Sequence, residues 1–165
     1  MLAQREKAGD ARLRSLPSRI GSPVADSVLL TGYSDLWLVD VAGSGARLVA
    51  NHATGGRWSP DKRQIAAWGR ADTASTAAEN LGLIVMNADG SGRRVLTTIP
   101  GGELTWSPDR RRIAFVGQRD LMPSGELVTD IYVVNASGGT PVNITRHQAG
   151  QRAFFPDWRP ARPAP

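Results

Sequence analysis

Apolar residues fall in short runs, and the runs return in the same order along the chain. The clearest are "QIAAWG" (64–69), "LGLIVMN" (81–87), "RIAFVG" (112–117) and "DIYVVN" (130–135). Within each run the apolar positions are consecutive rather than alternate. A strand reads that way when both of its faces are covered. The runs are divided by turn signals. In "SPDK" and "SPDR" proline pre-sets the backbone and aspartate bonds it two residues on, while "ADGSG" and "ASGGT" supply the glycines that hairpin turns need. No run approaches the ~20 apolar residues of a membrane-spanning helix, so direct membrane insertion is not expected.

The order of these signals is itself a repeat. "WSPDKRQIAA" (58–67) and "WSPDRRRIAF" (106–115) are identical at seven of ten positions and lie 48 residues apart. "IVMNADGSGRRVLT" (84–97) matches "YVVNASGGTPVNIT" (132–145) at the same offset, and "WLVDVAGSGARLVA" (37–50) matches the latter through Asp40, Asn87 and Asn135. The first copy has a worn front: in "GSPVADSVLL" (21–30) Gly21 stands where the tryptophan belongs. A fourth copy begins at "PDWRP", where Trp158 and Pro160 fit Trp58 and Pro60. Each unit reads as four strands, a to d, in about 40–50 residues, the size of a propeller blade. The fold class expected is all-β, a partial β-propeller of three four-stranded antiparallel blades, with sheets over 18–50, 55–98 and 103–146. The expected segments are a polar N-terminal stretch (1–17), three repeats (about 18–57, 58–105 and 106–157), and a Pro-rich tail or start of a fourth repeat (158–165). Trp58 and Trp106 are expected at equivalent buried places.

The wording "WSPDRRRIAFVGQRD…DIYVVNASGGTPVNIT" resembles the repeat of TolB-like propellers, the WD40-like propeller repeat family. Their usual form is close to W-S-P-D-G-x-x-I-A-F followed by D-I-Y-V-M-N-A-D-G-G. The resemblance covers roughly residues 18–160. There are two departures. The usual glycine after "WSPD" is Lys62 in one copy and Arg110 in the other, which suggests a turn of another type. Three repeats also fall short of the family's rings of about six or seven blades. The chain is therefore expected to be a segment of a longer propeller, or an arc that closes on another chain. In either case the outward faces of the first and third blades are expected to be bare and to favour self-association. The resemblance implies a bacterial scaffold for a protein or peptide partner, with the periplasm as the location by analogy. A competing implication is the gating propeller of a prolyl oligopeptidase-type peptidase whose catalytic domain is outside this chain.

Composition changes little. At 165 residues, 41% hydrophobic and 21% charged, the chain is of globular type. It has no cysteine, hence no disulfide or thiolate metal site. The net charge of +5 is carried almost wholly by arginine, Lys7 and Lys62 being the lysines. Only Arg110 to Arg112 form a compact run, and they sit in a turn without the exposed stacking aromatics that nucleic-acid binding needs. His52 and His147 occupy equivalent places on separate blades, too far apart to converge on a metal. None of the twelve serines stands in G-x-S-x-G. "DGSG" (89–92) lacks the Lys-Ser/Thr and helix of a phosphate loop. Asp35 and Asp130 head strand c and read as strand fasteners. No catalytic, cofactor-binding or metal-binding residue is expected, and no cofactor, nucleic acid or enzymatic activity. Function is expected in the long loops between strands b and c, Arg70–Asn80 and Gln118–Thr129.

Overall fold

The computed structural model describes residues 27–32, 34–41, 45–74, 77–121, 127–146 and 151–159. The strands are β1 (Ser27–Gly32), β2 (Asp35–Asp40), β3 (Ala46–Asn51), β4 (Ala53–Trp58), β5 (Gln64–Arg70), β6 (Leu81–Asn87), β7 (Arg94–Thr97), β8 (Gly101–Trp106), β9 (Arg112–Leu121), β10 (Leu127–Asn135) and β11 (Val142–Asn143). They form three successive antiparallel sheets, β1-β2-β3, β4-β5-β6-β7 and β8-β9-β10-β11. The chain is all-β, with the sheet order of a partial β-propeller. The first sheet has three described strands; the front strand expected before Ser27 lies outside the described residues. The chain divides into two compact units, Met1–Gly56 and Arg57–Pro165.

In the second unit the repeat maps onto structure strand by strand. β5 and β6 pair without a break from Gln64↔Asn87 to Arg70↔Leu81. Ile65, Ala66 and Ala67 on β5 and Leu83 to Met86 on β6 are all buried, so both faces of these strands are covered. One face of this sheet gives Ala66, Leu83, Val85 and Leu96 to a core shared with Leu104, Trp106, Ile113, Phe115, Tyr132 and Val134 of the next sheet. Within that core Phe115 stacks on Tyr132 at 5.5 Å, and Trp68 meets Phe115 edge-on at 5.7 Å. Both are favourable aromatic geometries.

The tryptophans also carry a directed bond. Trp106 Nε1 donates to the carbonyl of Arg57, the residue before Trp58, at 3.1 Å. Trp158 Nε1 donates to the carbonyl of Thr105, the residue before Trp106, at 3.2 Å. Each indole thus grips the strand that carries the preceding repeat's tryptophan. The outward face of the third sheet was expected to be bare, and it is not. Ala114, Val116 and Ile131 are covered by Ala153 and Trp158. That segment is tied to β10 by Ala153 N to Thr129 O at 3.1 Å and by the Thr129 hydroxyl to Ala153 O at 3.1 Å. Residues 151–158 lie where the first strand of another repeat would lie.

One further expectation needs correction. Trp106 is buried, but Trp58 is only half-buried. Trp106 sits between two sheets of one unit, whereas Trp58 ends the strand on which that unit begins. In the first unit Leu36, Trp37 and Leu38 are buried, while Val28, Leu30 and Leu48 are exposed. Leu30, Trp37 and Leu48 are cross-strand partners on one face, so an apolar stripe there reaches solvent.

Truncating a buried tryptophan removes its burial and leaves a cavity. Trp106→Ala is expected to lower stability by about 3–5 kcal/mol in urea melts. Trp58→Ala is expected to cost clearly less, in line with its partial exposure.

Candidate functional site

The two "SPD" turns are built identically. Ser59 donates its hydroxyl to Asp61 Oδ1 at 2.7 Å, and the same oxygen accepts from Arg63 N at 3.2 Å. Ser59 Oγ accepts in turn from Gln64 N at 3.0 Å. One repeat later Ser107 donates to Asp109, which accepts from Arg111 N at 3.0 Å, and Ser107 Oγ accepts from Arg112 N at 2.9 Å. The turn closes through Lys62 N to Ser59 O and Arg110 N to Ser107 O, both at 2.9 Å. Both turns share one backbone form. Lys62 has φ 61° and Arg110 has φ 64°, the left-handed conformation that glycine adopts freely and other residues adopt at a cost of roughly 1 kcal/mol.

Those side chains matter to the electrostatics. Arg110 Nη1 lies 2.6 Å from Asp61 Oδ2, joining the turn of one sheet to the turn of the next. The Ser59 hydroxyl, then Arg110, push the Asp61 carboxyl down from 3.8 to about 2. The Ser107 hydroxyl and the Arg111 amide likewise hold the Asp109 carboxyl below its ordinary value. The guanidinium of Arg112 lies 4.9 Å over the Trp158 ring. The compact arginine run is therefore divided: Arg110 takes Asp61, Arg112 takes Trp158, and Arg111 is exposed.

Asp130 is fully buried. It accepts from Asn143 Nδ2 at 2.7 Å and from the Thr145 hydroxyl at 2.9 Å, and Thr145 Oγ1 accepts from Ile131 N at 3.0 Å. The carboxylate fastens the short β11 to β10. Asp35 accepts from His52 N at 3.2 Å. The equivalent residue between them in the repeat is Gly82, where a Cβ would sit 2.0 Å from the Thr97 carbonyl. Only a residue without a side chain fits there. His52 is exposed at φ 51°, and His147 lies outside the described residues. In the "DGSG" segment Asp89 accepts from Ser91 N at 2.9 Å and from its hydroxyl at 2.6 Å, inside a hairpin turn closed by Asn87 N to Ser91 O.

The two b–c loops differ. The stretch 71–80 contains a 3-10 turn, Ala78–Asn80. Asp72 N donates to Asn80 Oδ1 at 2.7 Å, Asn80 Nδ2 donates back to Asp72 O, and Ala71 N donates to Asn80 O at 3.1 Å. This clasp joins the two ends of the loop. Gln118–Thr129, expected to be a loop, is mostly ladder: Leu121 pairs with Leu127 and Asp120 with Val128, with a bulge before Thr129. Val128 is buried, and its burial draws the hairpin past the expected strand end. Residues 122–126 are outside the described ones. Among the described residues no three His, Cys, Asp or Glu side chains gather as a metal site. Reading the sequence missed the Asp61–Arg110 pair. Its signal was present, since the aspartate and the glycine-replacing cation each recur at the repeat offset.

No protein-family model and no curated protein matches the chain. Among solved structures it is similar to the β-propeller domain of the Trilobed protease from Pyrococcus furiosus, described as having an open velcro topology. The TM-score is 0.46 and the identity 16%, over 73% of this chain and 38% of that one. It is also similar to an oligogalacturonate lyase in complex with manganese, with a TM-score of 0.34 and 19% identity over 62% of this chain and 27% of that one. The chain spans well under half the length of either.

Lys62→Gly is expected to stabilise the chain by up to about 1 kcal/mol, as relief of the left-handed backbone outweighs the added freedom of the unfolded state. Arg110→Gly is expected to gain less, because it also breaks the pair with Asp61; paired thermal melts compare the two. The pH dependence has a fixed sign. A carboxyl whose folded pKa is depressed adds stability that is present above about pH 4 and is lost as pH falls towards 2. NMR titration of the Asp61 carboxyl should give a midpoint near 2. Arg110→Gln should raise that midpoint only part of the way to 3.8, because the Ser59 hydroxyl remains.

Proposed function

We propose that the chain is a TolB-like propeller segment and a non-enzymatic scaffold that presents a loop to a protein or peptide partner. The observation that carries this reading is the clasp of Asp72 and Asn80, which ties the start of the loop between β5 and β6 to its end. A loop ordered before binding loses less conformational freedom when a partner docks. The support beneath it is rigid, because β5 and β6 are buried on both faces. The carboxylates with the most chemical capacity are engaged in the fold itself: Asp61 and Asp109 within their turns, Asp130 between two strands. Loop recognition on a rigid sheet stack is the usual division of labour in such folds. On this reading the periplasmic partners of TolB-like propellers are the first to be tried.

Selection from a random peptide library tests it. Peptides of micromolar affinity are expected, and Asn80→Ala should weaken their binding at least tenfold while leaving the thermal melt nearly unchanged. Selected peptides that bind Asn80→Ala as well as the parent chain would remove the loop from the site. Cleavage of unstructured peptides by the purified chain would overturn the non-enzymatic reading.

A further inference from the structure

The same end of the second unit collects four turns: β4–β5, β6–β7, β8–β9 and β10–β11. They are tied together by backbone and side chain. Ala88 N donates to Arg63 O at 2.9 Å, and Ala136 N donates to Arg111 O at 2.8 Å, which brings each Gly-rich turn beside its "SPD" turn. Arg94 reaches from β7 to the Ala136 carbonyl, and Arg110 reaches Asp61 at 2.6 Å, so arginines join the two sheets at this rim.

The charges there are unequally engaged. Asp61, Asp89 and Asp109 are exposed, but each commits its Oδ1 to hydroxyls and amides of its own turn, and Asp61 gives its Oδ2 to Arg110. Lys62, Arg63 and Arg111 are exposed and make no side-chain hydrogen bond or ion pair among the described residues. The backbone shows the same bias. Positions 62 and 110 require a left-handed conformation that glycine would fill without strain, yet each holds a long cation. Residues in such conformations gather at functional sites.

We propose that this rim is a second docking surface, opposite the b–c loop, and that it takes an acidic polypeptide segment. Guanidinium groups match carboxylates through paired hydrogen bonds. The rim is a broken stripe, with exposed, turn-bonded carboxylates between the cations. That suits a partner whose own charges are spaced by neutral residues, and it repels a uniformly charged backbone such as nucleic acid. No exposed aromatic stands among the rim cations to stack a base, since Trp106 is buried and Arg112 covers the Trp158 ring. The inference is independent of the loop reading, because it uses other residues at the other end of the sheets.

Fluorescence anisotropy with a labelled peptide of alternating Asp/Glu and Ser/Gly tests the surface, with a single-stranded oligonucleotide of equal charge as competitor class. Saturable binding of the peptide is expected at low salt and should weaken as salt is raised. Arg63→Gln with Arg111→Gln should weaken it at least tenfold, while Arg146→Gln with Arg152→Gln, which removes the same charge elsewhere, should change it less than threefold. Thermal melts of both double variants should match the parent, because the Asp61–Arg110 pair is untouched. No saturable peptide binding, equal losses in the two double variants, or tighter binding of the oligonucleotide would each overturn the proposal. None of these results bears on the Asn80→Ala experiment.

Discussion

The indole N–H of a repeat tryptophan, donated to the carbonyl just before the previous repeat's tryptophan, fixes the spacing of the sheets. Trp106 holds Arg57 O and Trp158 holds Thr105 O in the same way. A buried indole N–H without an acceptor would cost on the order of 1–3 kcal/mol, so the ring enters its place in only one orientation. The bond sets the sheet separation, and the ring fills the space. Phe115, Tyr132 and Trp68 then pack around it. The two interactions depend on each other: burial gives the bond its strength, and the bond gives the burial its register.

That dependence explains what could be read from the sequence. The runs at 64–69, 81–87, 112–117 and 130–135 lie within β5, β6, β9 and β10, because short consecutive apolar runs bounded by turn residues suit a strand covered on both faces. The failures are just as physical. Gln118–Thr129 looks polar, yet one buried valine, Val128, extends the hairpin through it. The third sheet's open face is closed by Ala153 and Trp158, and a single tryptophan in a Pro-rich context gave little sign that it would dock back. The tail had been aligned with a fourth repeat, but alignment does not say which surface a strand will cover. The candidate site was harder still. Nothing in "AENLG" shows that Asn80 and Asp72 will exchange bonds across the loop.

Lys62 and Arg110 gave the least expected result. A long cation is an uncommon occupant of a left-handed turn position. Here the hydrogen bonds of Ser59 and Asp61, and of Ser107 and Asp109, over-determine the turn and hold the next residue in the left-handed region whatever its side chain. Such turns can therefore carry varied side chains at an affordable cost. One of the two cations, Arg110, uses the position to bind the neighbouring turn. The other, Lys62, points its charge outward.

The repeat thus separates shape from recognition, position by position. Where the two good copies agree, at Trp, Ser, Pro, Asp, Arg, Ile and Ala, most of the residues are bonded or buried inside the unit, the exposed Arg63 and Arg111 being exceptions. Where they differ, the difference answers to a neighbour. Phe115 stands at the place of Ala67 and fills the gap between Trp68 and Tyr132. Arg112 stands at the place of Gln64 and covers Trp158. Arg110 finds Asp61 on the neighbouring turn, whereas the first copy has Val24 at the place of Asp61 in the sequence, and Lys62 faces solvent. A surface assembled from positions the fold leaves unconstrained can change its partner without disturbing the tryptophan bonds beneath it. This is the physical reason a strongly repeated sequence can specify its architecture so fully and its partner so little.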